Sequence, residues 1–161
     1  FQMSNEIQLK TTINGIEYDL TVPARLLASD FLRDNLNLTG THVGCEHGIC
    51  GSCTIKIDGL TARSCLKFAV QLDGKKVETV ESFKEKPETR NILEKFKAHH
   101  SLQCGFCTPG FLMVIDELLK SKIKFSENEI REALSGNLCR CTGYENIIKA
   151  TKEILAHKVI K

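Results

Sequence analysis

Ile7, Leu9, Thr11 and Ile13 alternate with polar residues, and after Asn14-Gly15 the alternation resumes at Ile16, Tyr18, Leu20 and Val22. A period of two marks a strand with one buried face. Asn-Gly between two such runs is a strong hairpin signal. Residues 6–22 therefore predict a β-hairpin, ended by Pro23, which has no N–H for the ladder. Leu26, Leu27, Phe31, Leu32 and Leu36 then recur at helical spacing and predict a short helix crossing the hairpin. From Asn37 to Cys53 the pattern breaks up around Gly40, Gly44, Gly48 and Gly51, which predicts a loop. Thr54–Ile57 and Lys76–Val80 predict strands, with Asp58-Gly59 as a turn. Together these elements predict a small β-grasp domain over residues 3–80.

Beyond Val80 the texture changes. Residues 81–90 are charged, contain Pro87 and predict a linker. Helical periodicity follows, first at Ile92, Leu93 and Phe96. Thr108-Pro109 predicts the start of a second helix, with threonine at the cap and proline at the first helical position. Phe111, Leu112, Ile115, Leu118 and Leu119 form its apolar face. Ser126 and Glu129 make a capping box for a third helix. Thr142-Gly143 precedes a fourth, which carries Ile147, Ile148, Ile154 and Leu155 on one side. Residues 91–161 thus predict a small four-helix bundle, and the fold class is α+β. The two halves share no fixed-period repeat, which excludes a solenoid.

Composition narrows the picture. The 161 residues suffice for two small domains, and the hydrophobic fraction of 42% includes eight cysteines, so the apolar core is modest. Small cores of this kind are commonly held by metal sites. A formal net charge of +2, from 22 basic and 20 acidic residues, leaves no nucleic-acid footprint. The densest basic stretch, Lys120 to Lys124, predicts a solvated helix end. No apolar run approaches the length of a bilayer span, and no signal-like segment opens the chain. Phe1-Gln2 before Met3 has the character of a cleaved expression tag, with Met3 as the native start. The expected compartment is the cytoplasm, where thiols stay reduced and serve as ligands.

The cysteines fall into two sets. Cys45, Cys50, Cys53 and Cys65 follow C-x4-C-x2-C-x11-C, the plant-type spacing of a [2Fe–2S] site. Three of them share the glycine-rich loop VGCEHGICGSC (residues 43–53), whose glycines let the backbone turn its N–H groups toward sulfur. Zinc and disulfides are the alternatives, but zinc ribbons usually show two tight pairs. His47 lies in this loop, and with four cysteines already present it is expected to be an exposed bystander rather than a Rieske-type ligand. Cys104, Cys107, Cys139 and Cys141 follow C-x2-C-x31-C-x-C. Each pair of this set precedes a predicted helix, where free N–H groups and the helix dipole favour an anionic centre and thiolate ligands. Alone, this second spacing suits zinc as well. The cluster-type loop beside it favours a second cluster, and the chain then becomes a short electron wire.

The runs QCGFCTPG (Gln103 to Gly110) and GNLCRCTGY (Gly136 to Tyr144), with the Cys45 loop and Leu38-Thr39-Gly40, closely resemble the small iron–sulfur subunits of the molybdenum hydroxylases. That family includes xanthine dehydrogenase, carbon monoxide dehydrogenase, aldehyde oxidoreductases and 4-hydroxybenzoyl-CoA reductase. The resemblance covers essentially the whole chain and all eight cysteine positions. It implies a plant-ferredoxin-like N-terminal domain in which Cys45, Cys50, Cys53 and Cys65 ligate the cluster facing a medium FAD-binding subunit. It implies a helical domain in which Cys104, Cys107, Cys139 and Cys141 ligate the cluster facing a large molybdopterin-binding subunit. Gln103 and Cys141 are expected near the pterin. Glu46-His47 and Ile49 occupy positions that vary among relatives. The implied function is relay of single electrons through two [2Fe–2S] clusters within a hetero-oligomer, with no acid, base or nucleophile on this chain. The competing readings are a free-standing two-cluster ferredoxin and a structural zinc protein.

Overall fold

The predicted hairpin forms as β1 (Glu6–Ile13) and β2 (Ile16–Pro23), paired antiparallel from Glu6↔Pro23 to Ile13↔Ile16. These elements come from a computed structural model that describes residues 5–156, so the readings at Phe1, Gln2, Met3 and 157–161 lie outside the described residues. Asn14 and Gly15 both take left-handed backbone, with φ of 51° and 83°, as a tight two-residue turn requires. Pro23 is the last residue of β2 rather than the one beyond it. The buried face is narrower than the alternation predicts. Leu9, Thr11, Ile13 and Val22 are buried, whereas Ile7 and Ile16 stand in solvent at 43% and 58% exposure.

The sheet is completed by β3 (Thr54–Ile57), β4 (Leu60–Arg63) and β5 (Lys76–Glu78), in the order β2-β1-β5-β3-β4. β1 and β5 run parallel, and the remaining neighbours are antiparallel. The covering helix differs from its prediction. Only α1 (Ala28–Asp30) is α-helical, and residues 31–35 continue as a π-helical turn closed by Leu36 N–H donating to the Phe31 carbonyl at 3.2 Å. The wider turn keeps Ala28, Phe31 and Leu32 fully buried against Leu9, Ile13, Ile55, Leu72 and Val77.

The second core is helical, built by α2 (Pro87–Ala98), α3 (Thr108–Lys120), α4 (Glu127–Leu134) and α5 (Glu145–Ala156). Phe83, Ile92, Phe96, Phe111, Ile115, Ile130, Ile147 and Ile154 meet in it. The stretch expected as a linker is mostly structured. Residues 80–84 form a 3-10 turn that buries Phe83, and α2 begins at Pro87, whose missing N–H costs nothing in a first turn. Ser126 caps α4 as expected, accepting from Glu129 N–H at 3.3 Å while its own N–H donates to Glu129 Oε2 at 2.7 Å. α3 starts otherwise than predicted. Its cap is Cys107, whose carbonyl accepts the first helical bond from Phe111 N–H at 3.3 Å, so Thr108 falls inside the helix. No helix among the described residues is long and apolar enough to cross a membrane.

α3 is buried from Pro109 through Asp116, because one side packs into the bundle and the other against the sheet. On the sheet side two charges are buried together. Lys56 of β3 is 1% exposed and Asp116 of α3 is 0% exposed, and Lys56 Nζ bonds directly to Asp116 Oδ2. Glu78 Oε2 lies 3.3 Å from Lys56 Nζ and 3.0 Å from Lys86 Nζ, and Lys120 Nζ lies 2.8 Å from Asp116 Oδ2. Lys120 is therefore tied into this network rather than being a purely solvated helix end. Burial pushes the Glu78 carboxyl up, but Lys86, Lys56 and Lys120 outweigh it and hold it below the usual range. Asp116 Oδ1 is buried with no hydrogen-bond partner among the described residues, so the pair is held under desolvation stress.

Breaking one side of a buried pair costs about 3–5 kcal/mol. Asp116→Leu should sit near the low end, about 3 kcal/mol, because Glu78 still faces Lys56 at 3.3 Å. Adding Lys56→Met should recover most of that loss. Equilibrium unfolding in denaturant checks both, and equal stability of Asp116→Leu and wild type would contradict the assignment.

Candidate metal centres

The first cysteine loop is shaped by left-handed residues at Glu46, Gly48 and Gly51, with φ of 56°, 82° and 75°. These turns curl Cys45, Cys50 and Cys53 round one space and aim Cys50 N–H at Cys45 Sγ, 3.4 Å away. Cys65 sits in a 3-10 turn (Ser64–Leu66) directly after β4. Ser64 holds that turn to the loop, its N–H and hydroxyl donating to the Cys53 carbonyl at 3.2 and 2.8 Å. Cys53 and Cys65 are buried, and Cys45 and Cys50 are partly exposed. N–H bonds from Cys50 and His47 pull the Cys45 thiol down to about 6. Burial, and then neighbouring Cys53, push the Cys65 thiol up to about 11. His47 is exposed, as expected, and its ring lies against the Cys45 carbonyl.

The second set is assembled at two helix starts. Cys104 and Cys107 immediately precede α3, with Gly105 at φ 81° turning the chain between them. Cys139 and Cys141 precede α5, separated from it by left-handed turns at Gly143 and Tyr144. Cys141 Sγ lies 3.5 Å from Cys104 Sγ, and both residues are exposed. Burial, and then neighbouring Cys139, push the Cys107 thiol up to about 12. Burial also pushes Cys139 up, but the Thr142 hydroxyl and N–H, at 3.1 and 3.4 Å from its sulfur, leave it lowered. Gln103 Nε2 donates to the Cys141 carbonyl at 3.1 Å, so the two residues expected near the pterin lie together at the surface.

In each set, then, one thiol is held below the ordinary range and another above it. Sulfurs this close cannot all carry charge by themselves, whereas a bound metal centre inverts that balance and deprotonates its thiols outright. This donor chemistry fits an iron–sulfur cluster. All eight cysteines are free thiols, which removes the disulfide alternative.

The two loops also touch each other. Leu138 N–H donates to the Cys50 carbonyl at 2.9 Å, and Asn137 Nδ2 donates to the Gly51 carbonyl at 3.1 Å. Arg63 Nη2 donates to the Gly136 carbonyl at 2.7 Å. His42 stacks on Phe106 with ring centroids 4.9 Å apart, and its Nδ1 lies 2.8 Å from the Phe106 carbonyl. None of these bridging residues stands out in the sequence. The available signal was the pair of glycines at the junction. A Cβ on Gly110 would overlap the Gly51 carbonyl oxygen and come within 2.6 Å of Asn137 Nδ2.

Two sets of four cysteines on an α+β scaffold fit the class of two-cluster iron–sulfur electron carriers. Comparison with known proteins agrees. A family profile described as a 2Fe-2S iron-sulfur cluster binding domain matches residues 34–101, and one described as a [2Fe-2S] binding domain matches residues 79–152. Caffeine dehydrogenase subunit gamma of Pseudomonas sp. (strain CBB1) is 51% identical over 94% of this chain and 92% of its own length. The nicotine 6-hydroxylase small subunit of Paenarthrobacter nicotinovorans is 48% identical over 91% of this chain and 88% of its own. In the crystal structure of quinoline 2-oxidoreductase from Pseudomonas putida 86, one chain superposes with a TM-score of 0.85 at 44% identity, covering 97% of this chain and 100% of that one. The protein belongs to the small iron–sulfur subunits of the molybdenum hydroxylase family. It binds two [2Fe–2S] clusters and carries electrons within a multi-subunit oxidoreductase, without performing the substrate chemistry itself.

Gly110→Ala should wedge the two loops apart. Overpacking of this kind costs about 1–3 kcal/mol. Thermal unfolding should shift down and iron per chain should fall, and a variant with unchanged melting and full iron would show the junction to be dispensable.

Proposed function

We propose that Cys45, Cys50, Cys53 and Cys65 hold one cluster and that Cys104, Cys107, Cys139 and Cys141 hold the other, on domains divided as 3–80 and 91–161 by the connection at 81–90. Each cluster, when bound, takes up and releases a single electron. The observation that carries the relay is the 2.9 Å hydrogen bond from Leu138 N–H to the Cys50 carbonyl. Leu138 adjoins Cys139, so one hydrogen bond links a ligand residue of one cluster to the neighbour of a ligand residue of the other. The chain's remaining work is to fix that separation and exclude solvent between the loops.

Each cysteine set has its own apolar rim. Leu102, Phe106 and Leu138 are exposed beside Cys104 and Cys141, and Ile49, Leu66 and Phe68 are exposed beside the first loop. Exposed apolar residues grouped at a functional site mark an interaction surface. The first rim suits the large molybdopterin-binding subunit, with Gln103 and Cys141 toward the pterin, and the second suits the medium FAD-binding subunit. The complex is a hetero-oligomer of the cytoplasm, a compartment that keeps eight thiols reduced. Caffeine, nicotine and quinoline, which name the enzymes of the relatives above, are nitrogen heterocycles, and this supports a substrate of that class on the large subunit.

Low-temperature EPR of the dithionite-reduced protein should give two distinct [2Fe–2S] signals, with about four irons per chain, two for each cluster. A single signal, or zinc in place of iron at the second set, would contradict the relay. Co-purification with two larger chains distinguishes the subunit from a free-standing ferredoxin. Cys141→Ser should perturb or abolish the C-terminal signal and leave the N-terminal one intact, and unchanged spectra and turnover in the assembled enzyme would refute that assignment.

A further inference from the structure

The sulfur of Cys139 is the acceptor for two donors from one residue. Thr142 places its hydroxyl oxygen 3.1 Å and its backbone nitrogen 3.4 Å from that sulfur. The direction of the hydroxyl bond is fixed by its other partner. A threonine hydroxyl has one proton and two lone pairs. Tyr144 N–H donates to Thr142 Oγ1 at 3.2 Å and so occupies a lone pair, which leaves the proton for the sulfur.

The backbone is held for this purpose at some cost. Gly143 and Tyr144 are both left-handed, at φ 65° and 68°, and for tyrosine that conformation is unfavourable. Two contacts keep it. The Tyr144 hydroxyl accepts from Cys139 N–H at 3.0 Å, and its ring packs edge-on against Phe111 with centroids 6.3 Å apart. The turn therefore closes on Cys139 from both ends, with Thr142 at its centre. Around Cys45 in the first set the donors to sulfur are backbone N–H groups and neighbouring cysteine. A side-chain hydroxyl on sulfur is thus particular to the second set among the described hydrogen bonds.

We propose that Thr142 sets the reduction potential of the C-terminal cluster through its hydroxyl bond to Cys139 Sγ. The inference rests on Cys139 being a ligand of that cluster, as proposed above. Reduction adds one electron, converts one ferric ion to ferrous, breaks no bond and makes the cluster one unit more negative. The added charge spreads onto the sulfurs, so a donor to sulfur stabilises the reduced form more than the oxidised form and raises the potential. Thr142 acts through Cys139 and is a positioning residue that makes the C-terminal cluster the easier of the two to tune by a single side chain.

The test is a dithionite titration of the assembled complex followed by EPR, with the two signals read separately. Thr142→Val should disfavour reduction of the C-terminal cluster by roughly tenfold, equivalent to about 59 mV for one electron. Thr142→Ser, which keeps the hydroxyl, should stay near wild type, and the N-terminal cluster should not move in either variant. An unmoved C-terminal potential in Thr142→Val overturns the inference, as does an equal shift in both clusters or a serine variant that shifts as far as valine. The wild-type complex supplies a measurement that needs no variant. After exchange into D2O, pulsed EPR of the reduced C-terminal cluster should show a strongly coupled deuteron, and its absence also overturns the inference. If the wild type shows no second [2Fe–2S] signal at all, it is the ligand assignment that has failed.

Discussion

The hydrogen bond from Leu138 N–H to the Cys50 carbonyl is the contact on which the architecture turns, because it brings the two cysteine loops to backbone distance. Every element nearby is arranged to allow it. Gly51 and Gly110 leave no side chain between the loops, and a Cβ on Gly51 would fall 2.5 Å from the Gly136 carbonyl oxygen. Asn137 is buried in the seam, gives its amide to the Gly51 carbonyl, and leaves its own Oδ1 without a partner among the described residues. An unpaired buried oxygen is costly.

α3 serves both halves of the molecule. Its start carries Cys104 and Cys107, its apolar length fills the helical core, and its sheet side presents Asp116 to Lys56. Because that ion pair ties β3 to α3, it anchors the sheet half of the chain to the helical half. A buried pair is weak evidence for stability, but it is directional in a way that apolar packing is not. The same strand–helix contact is reinforced by Thr61 N–H donating to Glu117 Oε2 at 2.7 Å.

The two cysteine sets are built by different local means. In the first, left-handed turns at Glu46, Gly48 and Gly51 shape the loop, and Cys53 and Cys65 are buried. In the second, two helix starts converge, and the outer thiols of Cys104 and Cys141 remain exposed. The two loops meet through the Leu138–Cys50 and Asn137–Gly51 hydrogen bonds, while the thiols of Cys104 and Cys141 stay open to the surface.

Much of this was readable from local pattern. Alternation around Asn14-Gly15 gave the hairpin, the Ser126–Glu129 pair gave the start of α4, and cysteine spacing gave the two thiol sets, because each depends on neighbours a few residues apart. Local pattern failed where a distant partner decided the outcome. The helix after Leu27 slips into a π-turn to keep Phe31 and Leu32 against the sheet, and the charged stretch at 81–90 hides Phe83 in the second core. Lys56 is a polar position in a short strand until α3 brings Asp116 to it across 60 residues. Which residues carry sulfur is a matter of spacing along the chain. How far apart the two sets lie, and which hydroxyls and amides reach their sulfurs, depends on packing between segments that the sequence does not place side by side.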